Sequence, residues 1–204
     1  MNAFEQAVAN YIGSDNLEKI QSKTIGIAGA GGLGSNCAFN LVRSGFKNFV
    51  IVDFDVLEYS NLNRQFYFID QIGKPKVQVL KENLMRINPD LNLAIHQERL
   101  ETSNLDEYYA NCDVVVEAFD TIAAKRMIAS RYMSSEKLFV SASGLAGWGN
   151  SDDIKITKVK DKFYLVGDLE TGVKPGVPPI SPRVNIAAGK LADIILSNVL
   201  DDEI

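Results

Sequence analysis

The sequence predicts an α/β fold, a doubly wound and mainly parallel sheet with an antiparallel extension toward the C-terminal end. Three observations predict it. Short apolar, β-branched runs at residues 24–28, 49–53, 113–118 and 138–142 alternate with segments of helical periodicity, the pattern of strands buried on both faces by crossover helices. The first run passes directly into Gly29-Ala30-Gly31-Gly32-Leu33-Gly34-Ser35 and then into a helical stretch, so a strand, a glycine turn and a helix follow in order. Gly34, Asp53 and Asp120 all fall at carboxyl ends of strands, where such sheets bind their ligands.

With 204 residues, 46% of them hydrophobic, the chain can bury a full core, and a single domain over residues 23–204 preceded by a helical arm at 1–22 is expected. No run approaches the roughly 18 to 20 apolar residues needed to span a bilayer, and the N-terminus lacks the pattern of a secretory signal, so a cytoplasmic protein is expected. The formal net charge of −5 offers no basic field for nucleic acid. An anion site must therefore be assembled from a few local cations. Cys37 and Cys112, the two cysteines, sit in a helix and before a strand and read as small buried fillers.

Phe4, Ala7, Val8 and Tyr11 have helical spacing, and Leu17 and Ile20 follow in a polar stretch, which suggests a docking helix or arm. In the glycine turn, Gly29, Gly31, Gly32 and Gly34 let the backbone approach a ligand, while the unpaired N–H groups of the helix start favour phosphate. This much is Rossmann-like, and taken alone it suits a dinucleotide as well as ATP. Gly45 reads as a helix C-cap, and the second parallel strand ends in Asp53, about 20 residues beyond the turn, where an acid can accept hydrogen bonds from ribose hydroxyls. Residues 54–68 have no simple period and place Arg64 among the amides Asn61 and Gln65. Pro75 suits the first turn of a helix whose inward face is Val77, Leu80, Leu84 and Ile87, and Asn88-Pro89 stops it. Leu91, Leu93 and Ile95 alternate as in an edge strand; residues 102–111 read as a short helix capped by Thr or Ser. Asp120 precedes a helix reaching about Tyr132, and could serve as its cap. Beyond Gly144 the alternation at 152–159 and the run 163–166 suggest the antiparallel extension. Residues 167–182, rich in Gly and Pro, form an ordered loop or lid, and Val184, Ala188, Leu191, Ile195 and Val199 mark a last amphipathic helix. His96, the one histidine, lies on the polar phase of its strand and argues against histidine-based catalysis. Trp148 among glycines reads first as a packing anchor, and second as part of a docking groove.

The glycine turn, Asp53-Phe54-Asp55, Ser60-Asn61-Leu62-Asn63-Arg64-Gln65, Gly73-Lys74-Pro75-Lys76 and Ile87-Asn88-Pro89, in this order, resemble the ubiquitin-activating-like adenylyltransferases of the ThiF, MoeB and HesA type. Ala142-Ser143-Gly144-Leu145-Ala146-Gly147-Trp148-Gly149 and Lys174-Pro175-Gly176 look most like the compact ThiF subfamily. The resemblance implies adenylation of the C-terminal glycine carboxylate of a ubiquitin-fold sulfur carrier, ThiS-like with a Gly-Gly tail, by ATP and Mg2+ in a homodimer of the thiamine pathway. MoeB-like activation of a molybdopterin or other sulfur carrier, and a non-catalytic nucleotide-binding module that docks a carrier, are the alternatives. An NAD-dependent oxidoreductase is the rival from the glycine turn alone.

On this resemblance Arg64 clamps the β- and γ-phosphates, Lys76 faces the α-phosphate and Asp120 holds the metal. Asp53 binds the ribose, Asn61 and Gln65 give neutral hydrogen bonds, and Asp55 is a turn acid or a helper to the metal site. The attacking carboxylate is already ionised at neutral pH, so no acid–base residue is required. Two departures stand out. Residues 1–22 hold no Arg, although many relatives reach into the partner's ATP site with an N-terminal one, so Lys19, Lys23 or another residue such as Arg183 is expected to substitute. The paired C-x-x-C zinc ligands of many relatives are absent, so no structural zinc is expected, and neither cysteine falls on an obvious crossover loop for a covalent carrier intermediate.

Overall fold

In the computed structural model, which describes residues 1–200, seven strands form one sheet in the order β3-β2-β1-β4-β5-β7-β6. The strands are β1 (Thr24–Ala28), β2 (Asn48–Val52), β3 (Asn92–His96), β4 (Val114–Glu117), β5 (Leu138–Ala142), β6 (Lys155–Lys160) and β7 (Phe163–Gly167). The helices are α1 (Ala3–Ile12), α2 (Ser14–Gln21), α3 (Gly32–Arg43), α4 (Lys76–Met85), α5 (Leu105–Tyr109), α6 (Ile122–Tyr132) and α7 (Ser181–Leu200). The last four residues of the expected 23–204 domain lie outside the described residues. The fold is the doubly wound one expected, and the antiparallel extension is confined to β6: β7 still runs parallel to β5, and β6 pairs antiparallel with β7.

Period-two alternation sends each central strand to two cores. Ile25 and Ile27 of β1, Val114 and Val116 of β4, and Leu138 and Val140 of β5 face the larger core with α3, α4 and α7. Val115 and Phe139 face the smaller core with Tyr109 of α5 and with Ile128 and Tyr132 of α6. The strand order reverses between β1 and β4, which opens a crevice at their carboxyl ends.

The N-terminal segment folds as two helices. Asn2 and Glu5 close a reciprocal capping box on α1. Its inward face differs from the expected one: Ala7 and Tyr11 are exposed, while Glu5 and Ala9 are buried. The apolar period misses this because the buried position is an acid. Glu5 accepts from Lys47 Nζ at 2.8 Å and from Asn88 Nδ2 at 3.3 Å, and Asn2 Nδ2 donates to Asn88 Oδ1 at 2.7 Å. Asn88 of the Asn-Pro stop is thus the anchor of α1. Ile20 of α2 joins the larger core.

α5 starts at Leu105, later than the cap expected at Thr102 or Ser103, because Asn104 Oδ1 accepts from Glu101 N–H at 2.8 Å and closes a turn there first. α6 is capped by Thr121, whose hydroxyl accepts from Ala124 N–H at 3.3 Å, which leaves Asp120 outside that duty. No helix of the described residues is long and apolar enough to cross a membrane.

Candidate active site

The crevice floor is the glycine turn. Gly29 adopts φ +103°, and a Cβ there would lie 2.9 Å from Ala118 O; a Cβ on Gly34 would lie 1.8 Å from Gly29 O. Both positions need glycine, the first for its backbone and the second for the close approach of strand and helix. Asp53, just past β2, fastens the turn: its Oδ2 accepts from Ala30 N–H at 2.6 Å and its Oδ1 from Asp55 N–H at 2.7 Å. Burial raises the Asp53 carboxyl above its ordinary value, against those two N–H groups and the charge of Lys76, with Asp55 adding to the rise. Gly31 is the N-cap of α3, no side chain caps that helix, and the nearest atom to a Cβ on Gly31 would be Gln65 Nε2 at 3.8 Å. The first turn of α3 therefore has N–H groups without a side-chain cap, the groups that at a helix start can receive phosphate oxygens.

Residues 64–67 are stitched across this floor. Asn36 Nδ2 donates to Arg64 O at 2.8 Å and to Gly32 O at 2.7 Å, Ser35 Oγ accepts from Phe66 N–H at 3.0 Å, and Tyr67 Oη donates to Ala30 O at 2.7 Å. The stitching lays the Arg64 stem on Gly32, with Cγ 3.3 Å from where a Cβ would stand. Its guanidinium donates to Asn63 Oδ1 at 2.7 Å and Ser60 O at 3.1 Å. Burial draws the Arg64 guanidinium below its ordinary value, while the charge of Asp120 opposes this. Asp120, exposed just beyond β4, is the acid whose charge acts on Arg64. Gln65 is buried, and its Oε1 has no partner among the described residues, an acceptor that a ligand donor can satisfy.

The structure brings Gly29, Gly31, Gly32, Gly34, Asp53, Arg64 and Gln65 to one floor, and the charge of Asp120 acts on Arg64. It engages three other expected residues differently. Lys76, at the start of α4, is 5% exposed and its Nζ lies 2.7 Å from Asp55 Oδ2, so this cation reaches the crevice only as a member of an ion pair. Asp55 is the partner of that lysine. Asn61 Oδ1 accepts from Glu58 N–H at 3.0 Å and holds its own turn. Among the described residues no group of three or more His, Cys, Asp or Glu side chains is placed to hold a metal ion; a single carboxylate is a donor set that suits Mg2+ carried on phosphates.

Arg183, expected over the phosphates, is tied elsewhere. Its Nη2 lies 2.5 Å from Asp168 Oδ2, and its Nη1 donates to Gly149 O at 2.9 Å and Asn150 O at 3.2 Å. Asp168 also accepts from Thr171 N–H and from the Thr171 hydroxyl. This knot joins the two loops beyond β5 and β7 to the start of α7. Trp148 on the first of them is 70% exposed, so it anchors no core. Lys19 and Lys23 lie by the amino ends of the strands, lining a cavity with Asp113 and Glu136 at the far end of the sheet from the glycine turn. Cys37 and Cys112 are buried, and burial pushes their thiols up to about 12 and about 11.

Sequence reasoning missed a buried polar group at the ends of β4 and β5, where Glu117 meets Lys125 and Ser141. An acid closing a continuous apolar run, with a lysine one helical turn into the next helix, was its available signal. The roles of Asn36, Ser35 and Tyr67 had none, because each bonds backbone that folding alone brings near.

The ThiF family model matches residues 4–166 of the chain. The chain is 38% identical over 143 residues to SUMO-activating enzyme subunit 2 of Dictyostelium discoideum, across 69% of this chain and 22% of that protein. It is 32% identical over 150 residues to the sulfur carrier protein ThiS adenylyltransferase of Escherichia coli K12, across 73% of this chain and 59% of that protein. It thus spans less than two thirds of the length of these curated relatives. Among solved structures, the E. coli tRNA N6-threonylcarbamoyladenosine dehydratase TcdA in complex with ATP superposes with a TM-score of 0.86 over 96% of this chain and 93% of that one, at 20% identity, a likeness of fold.

Proposed function

Since the chain belongs to the ThiF family, we propose that it adenylates the C-terminal glycine carboxylate of a ThiS-like, ubiquitin-fold sulfur carrier, using Mg-ATP and releasing pyrophosphate. The observation that carries this reading is the floor itself: a helix start at Gly31–Gly32 without a side-chain cap, with the Arg64 stem lying on Gly32 and the charge of Asp120 acting on Arg64.

A carrier carboxylate oxygen attacks the α-phosphorus, the bond to the bridging oxygen breaks, and pyrophosphate departs with the electron pair. Negative charge gathers on the phosphates, and fixed positive partners stabilise it most where water is excluded. The α3 N–H groups receive phosphate oxygens, and Arg64 supplies a planar fork to the β- and γ-phosphates. Asp120 would hold the Mg2+ that accompanies ATP, and the ion would supply positive charge toward the leaving group. Asp53 meets the ribose, while Gln65 offers its unpartnered oxygen to a donor of the nucleotide. Lys76 serves the α-phosphate through the Asp55 pair, which must loosen or turn for the ammonium to reach it. Asn61 shapes the loop that presents Arg64. The shielded thiols of Cys37 and Cys112 suit a reaction that leaves the adenylate on the carrier without a thioester to this chain.

The thiamine pathway, a homodimer and a cytoplasmic setting complete the proposal; the likeness to the ThiS adenylyltransferase supports the first. The net charge of −5 speaks against carrying over the tRNA substrate in the name of the fold neighbour. The direct test is carrier-dependent exchange of labelled pyrophosphate into ATP, with ThiS-like and molybdopterin-type carriers in parallel. Exchange with the first alone is expected. A folded, ATP-binding protein that exchanges with no Gly-Gly-ended carrier overturns the enzyme reading in favour of a docking module, and tight NADH binding without ATP binding overturns both.

A further inference from the structure

Glu117, the last residue of β4, is fully buried yet takes no part in the chemistry assigned above. Its Oε1 and Oε2 accept from Lys125 Nζ at 3.1 and 3.0 Å, Oε2 accepts from Ser141 Oγ at 2.5 Å, and Oε1 accepts from Phe119 N–H at 2.7 Å. Lys125 of α6 donates also to Ala142 O at 2.9 Å. One carboxylate thus ties together the carboxyl ends of β4 and β5, the body of α6, and the turn that follows β4.

Such a pair is a poor way to add stability. Taking both charges out of water costs most of what their attraction returns, and an apolar pair of the same volume often serves as well. What an apolar residue cannot do is accept from the Phe119 N–H, which lies one residue before Asp120. That turn is held from its other side too: Ala118 O lies 2.9 Å, and the Phe119 ring 3.7 Å, from where a Cβ on Gly29 would stand. The residues leading into Asp120 are wedged between the nucleotide floor and the Glu117 carboxylate.

We propose that Glu117, held by Lys125 and Ser141, is a positioning residue for Asp120: it fixes the turn at 118–120 so that the Asp120 carboxylate faces phosphate-bound Mg2+ opposite Arg64. The inference rests on the assignment of Asp120 to the metal. Partners that orient a metal-binding carboxylate are commonly worth ten- to a hundredfold in metal affinity.

The test uses the full chain without a carrier, reading Mg2+-dependent ATP binding by calorimetry and amide exchange at residues 119–121 in the free protein. Glu117→Gln and Lys125→Met are expected to raise the Mg2+ concentration for half-maximal binding about tenfold, to recover full ATP binding at saturating Mg2+, and to speed exchange at Phe119. Lys125→Arg restores both readouts, and Ser141→Ala, the mildest change, shifts both in the same direction and decides the matter if Glu117→Gln fails to fold. Asp120→Asn is the reference. If it leaves the Mg2+ requirement unchanged, the metal assignment itself is wrong, and this inference falls with it. If Asp120→Asn shifts the requirement while Glu117→Gln and Lys125→Met lower only the melting temperature, the metal assignment stands and the positioning role is refuted.

Discussion

Gly34 shows how much a single hydrogen atom can decide. A methyl group there would stand 1.8 Å from Gly29 O, and the obstacle is backbone rather than a movable side chain. Gly34→Ala is expected to cost about 3 kcal/mol in chemical denaturation and to abolish ATP binding, because α3 must draw back from the strand that supports the phosphate floor. Equal ATP affinity in the variant would show that the helix start is not the floor. Arg64→Ala touches the same floor with the opposite balance: its guanidinium is partly solvated, so stability should change by less than about 0.5 kcal/mol while exchange turnover drops about a hundredfold. An unchanged turnover would move the phosphate clamp to another residue. The places of the glycines and Asp53 at strand ends were legible from residue type and spacing, whereas Arg64 was marked only by the resemblance of its motif. The Lys76–Asp55 pair was not legible, since an ammonium twenty-one residues from a carboxylate gives no linear sign that the two lie 2.7 Å apart.

At the scale of elements, the strands and most helices followed from apolar period alone, and the exceptions share one cause. Of the four residues whose spacing marked α1, Phe4 and Val8 are half-buried but Ala7 and Tyr11 are exposed, because a buried contact of the helix is made by Glu5. α5 was read too long because Asn104 closes a turn that propensity does not reveal. Glu5 also makes the docking of α1 pH-dependent. Burial alone would raise its carboxyl, but hydrogen bonds from Lys47, Asn88 and the Asn2 backbone together hold it below its ordinary value. A lowered acid adds stability that is fully present above the carboxylate's unfolded value of about 4.3 and is lost as pH falls through the folded one. Amide exchange in α1 should therefore accelerate on acidification below about pH 4 before the central sheet opens, and Glu5→Gln should remove that dependence. Identical acid profiles for the variant and the parent protein would refute the link.

Across the whole molecule, the two loops beyond β5 and β7 depend on the Asp168–Arg183 knot, both side chains of which are nearly buried. Asp168→Asn leaves the guanidinium without its charge partner, and about 3 kcal/mol of stability should be lost in urea denaturation; a loss below about 0.5 kcal/mol would mean that the knot only records where the loops happen to lie. The sequence marked these loops by their Gly and Pro content and could not say what fastens them, because Asp168 and Arg183 meet only after β7 and α7 have packed. The same packing sets an order of assembly. α7 runs along α3, and Val184 stands 3.0 Å from where a Cβ on Gly32 would be, so a residue near the start of the chain is finished by one near its end. Contacts of such long sequence separation form late in folding. During synthesis, then, the nucleotide floor stays incomplete until residue 184 has left the ribosome, and a nascent chain carrying the whole glycine turn, Arg64 and Asp120 has every motif of the site without the site itself.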